Sequence, residues 1–255
     1  MKIATWNVNS LNVRLPHVLD WLAQSPVDAL CLQELKLDTP KFPLAAFEDA
    51  GWHAVWSGQK TYNGVAIISK RPMTDVCINL PTYPDPQQRV IAATLDGVRI
   101  VCAYFPNGQS LDSEKYPYKL AWLDGLISWI GAEKGKFEQI ALLGDYNIAP
   151  TDLDLYDPIG WKDQVLVSGP ERAAFQALLD LGFTDAYRHL WPNTEKAYTW
   201  WDYRMNGYKR NLGLRIDHIL LSPPLLARLQ QCEIDLIPRG WERPSDHTPV
   251  IATLA

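Results

Sequence analysis

The segment RVIAATLDGVRIVCAYF (89–105) contains the clearest signal of the fold class. Its two apolar runs flank Asp96-Gly97, and an Asp-Gly pair between such runs is a strong signal for a tight β-hairpin. Elsewhere strand-like runs alternate with helix-like runs, and the strands outnumber simple strand–helix–strand units. A hairpin within such a chain favours mixed sheets covered by helices over a Rossmann arrangement or a TIM barrel. The sequence therefore predicts an α/β protein with mixed sheets.

The remaining elements follow from hydrophobic periodicity. VDALCLQEL is apolar on both faces, as a central buried strand should be. Other strands are predicted for KIATWNVN, HAVWSG, NGVAIISK, QIALLGDYN, AYTWWDY, LRIDHILLS, QCEIDLI and TPVIATL. Helices are predicted for LPHVLDWLAQ with Pro16 near its start, for EKYPYKLAWLDGLISWI, and for PERAAFQALLDLGF between Pro170 and a C-capping Gly182. No linker, charge block or short-period repeat divides the chain, so we predict one domain over residues 1–255.

Composition narrows the class of protein. Hydrophobic residues make up 47% of the 255 residues, enough for a sizeable core. The four cysteines lie mostly in apolar runs without CxxC spacing, which is typical of small core residues in a reducing compartment. We find no apolar stretch of membrane-span length and no room for a signal peptide before the first strand, so we expect a cytoplasmic protein and no membrane partner.

The net charge of −5 counts against a non-specific nucleic-acid binder, whose usual mark is a basic surface. It does not exclude an enzyme whose carboxylates cluster around a bound cation, because such a cluster raises the acidic count at the metal site itself.

Polar side chains recur where predicted strands end. Any one of them has an ordinary explanation as a turn residue or an exposed side chain; Asp246-His247 alone would be interpreted as a turn before the last strand. The set is Asn7, Glu34, Tyr104, Asn107, Asp145, Asn147, Asp217, Asp246 and His247. Ligand sites of α/β sheets form at strand ends, and buried carboxylates need a cation or a hydrogen-bond partner. Together these residues indicate a functional site.

Seven motifs follow one another along the chain: TWNVNSL, LQELK, NGVAI, AYFPNG, LLGDYNIAP, LGLRIDHIL and PSDHTPV. In sequence and in order they resemble the motifs of the exonuclease III / AP endonuclease family. This family is part of the DNase I-like endonuclease/exonuclease/phosphatase superfamily. The resemblance covers Met1 to Leu254. It implies a four-layered α/β sandwich, two mixed β-sheets packed face to face with helices outside. It also implies Mg²⁺-dependent hydrolysis of DNA phosphodiesters that leaves a 3′-hydroxyl, with Mn²⁺ as an alternative metal.

The same resemblance implies roles for individual residues. Glu34 would be the principal metal ligand with Asn7 beside it, and a second metal position would involve Asp145, Asn147 and Asp246. Asp145 would orient or deprotonate the attacking water, which Asn147 would help to hold. His247 would bind the scissile phosphate, with its ring fixed by Asp217, and Tyr104 would lie at the phosphate or near the leaving oxygen.

Substrate recognition is also carried over from the family. Trp200, Leu214 and Ile216 match the apolar pocket for a base-less deoxyribose, although ordinary core positions explain them nearly as well. Candidate phosphate-backbone contacts, for which a solvated surface is the alternative, are Lys60, Tyr62, Asn63, Arg204, Lys209 and Arg210. The expected substrate is double-stranded DNA with abasic sites, nicks or blocked 3′ ends, bound by a monomer.

One segment departs from the family pattern. In WKDQVLVSGPER, Leu166 stands where the family usually has Gly or Ser, and Val167 stands where it has Phe. A bulky Leu166 would obstruct DNA that continues past an internal abasic site, whereas a 3′ terminus would still fit. We therefore expect activity mainly at 3′ ends, as a 3′-phosphodiesterase, 3′-phosphatase or 3′–5′ exonuclease.

Three alternatives remain at this point: a fully active AP endonuclease, a phosphoesterase for small molecules or lipids, and a non-catalytic member of the fold that binds nucleic acid or protein. The third conflicts with the presence of every expected catalytic position, because a binding module has no reason to keep metal ligands.

Overall fold

The computed structural model describes all residues, Met1 to Ala255. Its fourteen strands are β1 (Lys2–Asn7), β2 (Ala29–Gln33), β3 (His53–Ser57), β4 (Val65–Ser69), β5 (Thr74–Ile78), β6 (Val90–Leu95), β7 (Val98–Tyr104), β8 (Ile140–Asp145), β9 (Thr184–Asp185), β10 (Trp200–Trp201), β11 (Gly213–Leu214), β12 (Asp217–Leu221), β13 (Leu229–Ile234) and β14 (Val250–Leu254). Its six α-helices are α1 (Leu11–Gln24), α2 (Leu44–Asp49), α3 (Lys115–Glu133), α4 (Gly169–Asp180), α5 (Ala186–Leu190) and α6 (Pro223–Leu226), and four short 3-10 helices lie in the connections. None of the helices is both long and apolar enough to cross a membrane.

Two six-stranded mixed sheets form the centre of the protein. The strand orders are β13-β14-β1-β2-β4-β3 and β5-β6-β7-β8-β12-β9, and β10 pairs with β11 in a separate two-stranded ribbon. In each large sheet one pair is parallel, β1 with β2 and β7 with β8, and the other pairs are antiparallel. The predicted hairpin is confirmed, with Leu95 opposite Val98 across the Asp96-Gly97 turn.

Side chains that alternate between the two faces of each strand form the layers of the protein. One apolar cluster lies between the sheets, with Ile3 and Ile67 from the first sheet and Ile100 and Leu143 from the second. Residues of the opposite parity face outward, so a second cluster joins the first sheet to α1 and a third joins the second sheet to α3 and α4. The predicted four-layered α/β sandwich is confirmed. Cys31, Cys102 and Cys232 are buried in the central cluster and are free.

Two sequence expectations about the elements are wrong in detail. Helix α1 begins at Leu11, four residues before the predicted Leu15, so Pro16 lies in its second turn. The earlier start is held by backbone hydrogen bonds from Ser10 and Leu11 to the loop after β2, a contact that periodicity does not report. The predicted strand AYTWWDY is reduced to Trp200–Trp201, because its only ladder partner is the two-residue β11.

A buried ion network supports the second sheet from one end. Arg215 donates to Asp154 at 2.7 Å and forms an ion pair with Asp185 at 2.8 Å, and all three side chains are buried. Asp185 also caps α5 by accepting from the backbone of Tyr187 and Arg188. Burial opposes the ionisation of Asp185, but Arg215 outweighs it and holds the pKa of this carboxyl well below its ordinary value. The pKa of Asp154 is lowered in the same way.

We predict that this network makes stability sensitive to acid. A carboxyl with a depressed folded-state pKa contributes stability that is complete above its unfolded pKa of about 4 and is lost as the pH falls further. The Asp185→Asn variant should lower the free energy of unfolding by about 3 kcal/mol at pH 7. Urea unfolding at pH 7 and pH 3 measures this, and the difference from the parent chain should shrink at pH 3. An equal difference at both pH values would contradict the assignment.

Candidate active site

Strand ends of the two sheets meet at one edge of the sandwich and bring the predicted residues together. Asn7 ends β1, and Glu34 directly follows the parallel strand β2. Asp145 ends β8 and lies opposite Asp217, the first residue of the antiparallel β12. His247 precedes β14. A parallel strand that ends and an antiparallel strand that begins share an edge, so residues up to 240 positions apart converge there.

Close strand packing places Asp145 beside Tyr104, its partner on β7. A Cβ at Gly144 would lie 1.8 Å from the carbonyl oxygen of Ala103, so this position requires glycine. The GD pair of the LLGDYN motif therefore has a geometric cause: glycine permits the close approach, and the next residue delivers its carboxylate to the edge.

The carboxylates of Glu34 and Asp145 are joined by the amide of Asn7, whose Nδ2 donates to each of them at 2.9 Å. The Asn7 Oδ1 accepts from the backbone of Asn9 instead. Asn7 thus presents a donor, not its oxygen, to the two acids. Glu34 adopts a left-handed backbone with φ 54°, which turns its side chain into the site as the strand ends.

His247 forms the second half of the site. Its Nδ1 lies 2.9 Å from Asp217 Oδ2, whereas its Nε2 lies 3.7 Å from Asp145 Oδ2, beyond hydrogen-bond length. Burial opposes the imidazolium charge, but Asp217 and Asp145 outweigh burial and raise the pKa of His247 to about 10. The ring is therefore cationic at neutral pH, with Nε2 free to donate to an incoming oxygen.

Asp145 is only 1% exposed. Burial raises the pKa of Asp145 to about 7, although His247 acts in the opposite direction. Its Oδ1 accepts from the backbone N–H of Asn147 at 2.9 Å, which holds the carboxylate in one orientation. A carboxyl with a pKa near neutrality is suited to accept a proton in a reaction.

Asn147, Asn107 and Tyr104 complete the wall of the site. Asn107 Nδ2 donates to Asn147 Oδ1 at 2.9 Å, and Asn147 Nδ2 donates to the carbonyl of Phe105 at 3.0 Å. Burial raises the pKa of the Tyr104 hydroxyl well above its ordinary value, and the neighbouring Glu34 acts in the same direction. Tyr104 therefore remains a neutral hydroxyl beside the two acids.

Asp246 lies apart from this group. Its carboxylate accepts from Trp200 Nε1 and from Asn9 Nδ2, each at 3.0 Å. It is not among the three side chains, Glu34, Asp145 and His247, whose ligand atoms all lie within 4.8 Å of one another. Its assignment as a metal ligand remains a prediction.

The apolar pocket residues do come together. Trp200 pairs with Leu214 in the β10–β11 ribbon, and Leu214, Ile216 and Leu166 belong to one small buried cluster against which Trp200 packs. Leu166 is 5% exposed and has φ 78°, a left-handed conformation that favours glycine. The side chain at this position therefore fills part of the space that the cluster encloses.

The residues predicted to contact the phosphate backbone of DNA differ in solvent exposure. Tyr62 is 66% exposed, and Lys60, Arg204, Lys209 and Arg210 are also exposed. Asn63 is the exception: it is buried, and its Nδ2 donates to Gln59 and Gln87. These two bonds hold its own loop in place, and Asn63 still lines a cleft beside Tyr62. Its assignment as a DNA contact stays a prediction. The cleft, which Tyr104 also lines, has a volume of about 620 Å³ and lies beside the acids.

Lys36 and Asn9 were missed in the sequence. Lys36 Nζ lies 2.7 Å from Glu34 Oε2 and 2.5 Å from Asn9 Oδ1. With the Asn9–Asp246 bond, they connect the acids to Trp200. Both residues lie within the motifs TWNVNSL and LQELK, so the signal was present but masked by their polar, surface-like character.

The donor set fits a hard divalent cation. The carboxylate oxygens of Glu34 and Asp145 converge, and Mg²⁺ needs only one or two carboxylates with water and phosphate. An imidazole nitrogen suits Mg²⁺ less well than oxygen does, and His247 already has its own partner in Asp217.

The sandwich and this edge site define a class of phosphoester-cleaving enzymes. Residues 4–247 match the model of the Endonuclease/Exonuclease/phosphatase family, and the chain belongs to this family. Within it, the chain is 36% identical to "Exodeoxyribonuclease III" of Haemophilus influenzae over 99% of both chains. Among solved structures it is similar to the 3′ phosphatase NExo from Neisseria bound to product DNA hairpin, with 54% identity, a TM-score of 0.99 and coverage of 100% of this chain and 99% of that one.

It is also similar to an AP endonuclease from Archaeoglobus fulgidus, with 41% identity, a TM-score of 0.96 and the same coverage. The resemblance to the exonuclease III / AP endonuclease family is confirmed. The protein is a DNA-hydrolysing enzyme, a DNA repair nuclease.

Proposed function

We propose that the enzyme is an Mg²⁺-dependent nuclease that acts mainly at 3′ ends of double-stranded DNA, at nicks or blocked termini, and cleaves internal abasic sites weakly. The observation that carries this proposal is the position of Leu166. Its buried side chain packs with Leu214 and Ile216, where a flipped, base-less sugar would enter. Residues 1–255 would act as one catalytic domain, since β1 and β14, which are distant in the chain, pair in one sheet. The enzyme would act as a monomer.

Each side chain of the site has a proposed task. Asp145 accepts the proton of the attacking water, and Asn147 holds this water or the phosphate. The Nε2 of His247 donates to the scissile phosphate, where negative charge develops, and Asp217 fixes the ring through Nδ1. Tyr104 places its neutral hydroxyl near the leaving oxygen.

Glu34 and Asp145 would hold the metal, and Asn7 keeps the two acids at a fixed separation. When bound, the divalent cation supplies charge stabilisation to the phosphate oxygens. The exposed side chains of Lys60, Tyr62 and Lys209 would contact the phosphate backbone and position the duplex without reading its sequence.

Two duplexes test the proposal. One contains an internal abasic analogue, and the other contains a nick with a blocked 3′ end. With Mg²⁺, the purified enzyme should process the blocked end faster, and EDTA should abolish both reactions. Equal rates on the two duplexes would contradict the restriction to 3′ ends.

The Leu166→Gly variant should raise internal cleavage relative to 3′-end processing by at least about tenfold, because removing a side chain from a pocket changes discrimination by this order. Glycine also relieves the left-handed backbone, which offsets part of the lost burial. Val167→Ala is the matched control, since Val167 is buried in the same cluster. It should lower stability without changing the ratio of the two activities. A ratio that Leu166→Gly leaves unchanged would remove Leu166 as the cause.

A further inference from the structure

A fully buried lysine lies directly behind the active site. Lys119 is on α3, and its Nζ donates to the carbonyl oxygens of Asn147 at 2.7 Å and Asn107 at 3.2 Å. The same Nζ forms an ion pair with Glu171 on α4. Both side chains are 0% exposed. A buried ion pair contributes little to stability by itself, so its presence here needs another explanation.

Glu171 continues the connection to the Leu166 loop. Its Oε1, the oxygen that faces Lys119, also accepts from the backbone N–H of Leu166 at 3.0 Å. Its Oε2 accepts from the backbone and the hydroxyl of Ser168, in a capping box at the start of α4. One carboxylate therefore holds both Leu166 and Ser168.

The two asparagines that Lys119 contacts are also held in place. Asn147 has a left-handed backbone with φ 47°, and its side chain accepts from Asn107. Lys119 thus holds the main chain of the same two asparagines whose side chains meet in front of it. The ammonium group of Lys119 therefore joins the segments around Asn107 and Asn147. The carboxylate of Glu171 connects it to a third segment, around Leu166.

From this geometry we infer that Lys119 and Glu171 are a positioning pair, which sets Asn147 for the reaction and holds Leu166 in the pocket. The inference rests on the proposed function and deepens it, because it makes substrate choice depend on a contact that no substrate touches. Misplacement of a catalytic group by about 1 Å can lower a rate about 10²-fold. A contact that fixes the main chain of Asn147 can therefore affect the rate strongly without touching the substrate.

The Lys119→Met variant should lower kcat for a blocked 3′ end by about 10- to 100-fold with KM changed little. The same change should raise the ratio of internal to 3′-end cleavage, because the Leu166 loop loses its anchor. Arg99→Met is the matched control. It breaks the other buried ion pair of α3, Arg99 with Glu133, which is far from the site along the helix. It should lower Tm and leave both kcat and the ratio unchanged.

A double variant separates positioning from stability. Lys119→Met combined with Glu171→Gln leaves no uncompensated buried charge, so Tm should recover relative to Lys119→Met alone. If the pair positions the site, kcat stays low and the ratio stays raised despite the recovered Tm. If kcat and the ratio recover together with Tm, or if Arg99→Met lowers kcat equally, the inference is overturned.

Failure of the proposed function is distinguishable from failure of this inference. The former appears in the parent enzyme, as equal rates on the two duplexes or as no 3′-end activity, before any variant is compared. The latter appears as an unchanged kcat and an unchanged ratio in Lys119→Met beside an active parent.

Discussion

The Asp145→Asn variant is expected to lose about 10²- to 10⁴-fold in kcat for hydrolysis at a blocked 3′ end, while it remains folded. Asparagine cannot accept the proton of the attacking water. Its amide can still accept one hydrogen bond, so the contact with the backbone of Asn147 or with Asn7 is kept. Burial raises the pKa of Asp145, which means that the folded state disfavours its carboxylate. A neutral amide should therefore leave Tm unchanged or raise it.

Single-turnover hydrolysis of the nicked duplex, with thermal unfolding in parallel, measures both effects for Asp145→Asn. Asp185→Asn serves as the control, since Asp185 is another buried aspartate, whose partners are Arg215 and the start of α5. It should lower Tm and keep kcat. An Asp145→Asn enzyme that retains kcat within about tenfold of the parent would sink the assignment of this residue as the proton acceptor.

The His247→Gln variant is expected to lower kcat by about 10²- to 10³-fold, the usual effect of removing one donor to a developing negative charge. His247 is cationic at neutral pH because Asp217 and Asp145 stabilise the imidazolium against burial. Glutamine offers a neutral donor without this charge. Asp217→Asn should act in the same direction with a smaller loss, because the ring stays in place but its charge is less well supported.

Steady-state kinetics on the blocked 3′ end measure this loss. His218→Gln is the matched control. His218 is also fully buried, next to Asp217 in sequence, but its ring contacts Arg215 and the carbonyl of Ile148 on the other side of the strand. It should reduce Tm and leave kcat intact. Equal kcat losses in the two histidine variants would show that His247 acts through folding alone.

Much of the fold is predictable from local sequence. The hairpin at Asp96-Gly97 and the buried strand before Glu34 were evident because their signals are short-range: a turn pair and an apolar run. The edge strand β5 was missed because four of its five residues are exposed and it alternates little. The short helices α2, α5 and α6 span four to six residues, too few for a helical period to stand out.

The residues of the candidate site could be predicted from the sequence. Asn7, Glu34, Asp145, Asp217 and His247 stand at strand ends in recognisable motifs, and the structure joins them at one edge. Other features depend on contacts that no motif states. Asn63 is buried against its own loop, and Asp246 is held by Trp200. Only the packed chain shows which partner each polar group finds.

Local sequence was enough to predict mixed sheets covered by helices, the strand-end motifs and the family resemblance, because turn pairs, apolar runs and motif order are properties of neighbouring residues. The contacts around Lys119, which lies on a helix with no motif, are visible only in the folded chain. Lys119 joins the loops of Asn107 and Asn147 and, through Glu171, the loop of Leu166. Sequence patterns do not report such contacts, because they link backbone groups of segments distant in the chain. Their geometry is set by burial and left-handed turns, which side-chain identity does not encode on its own.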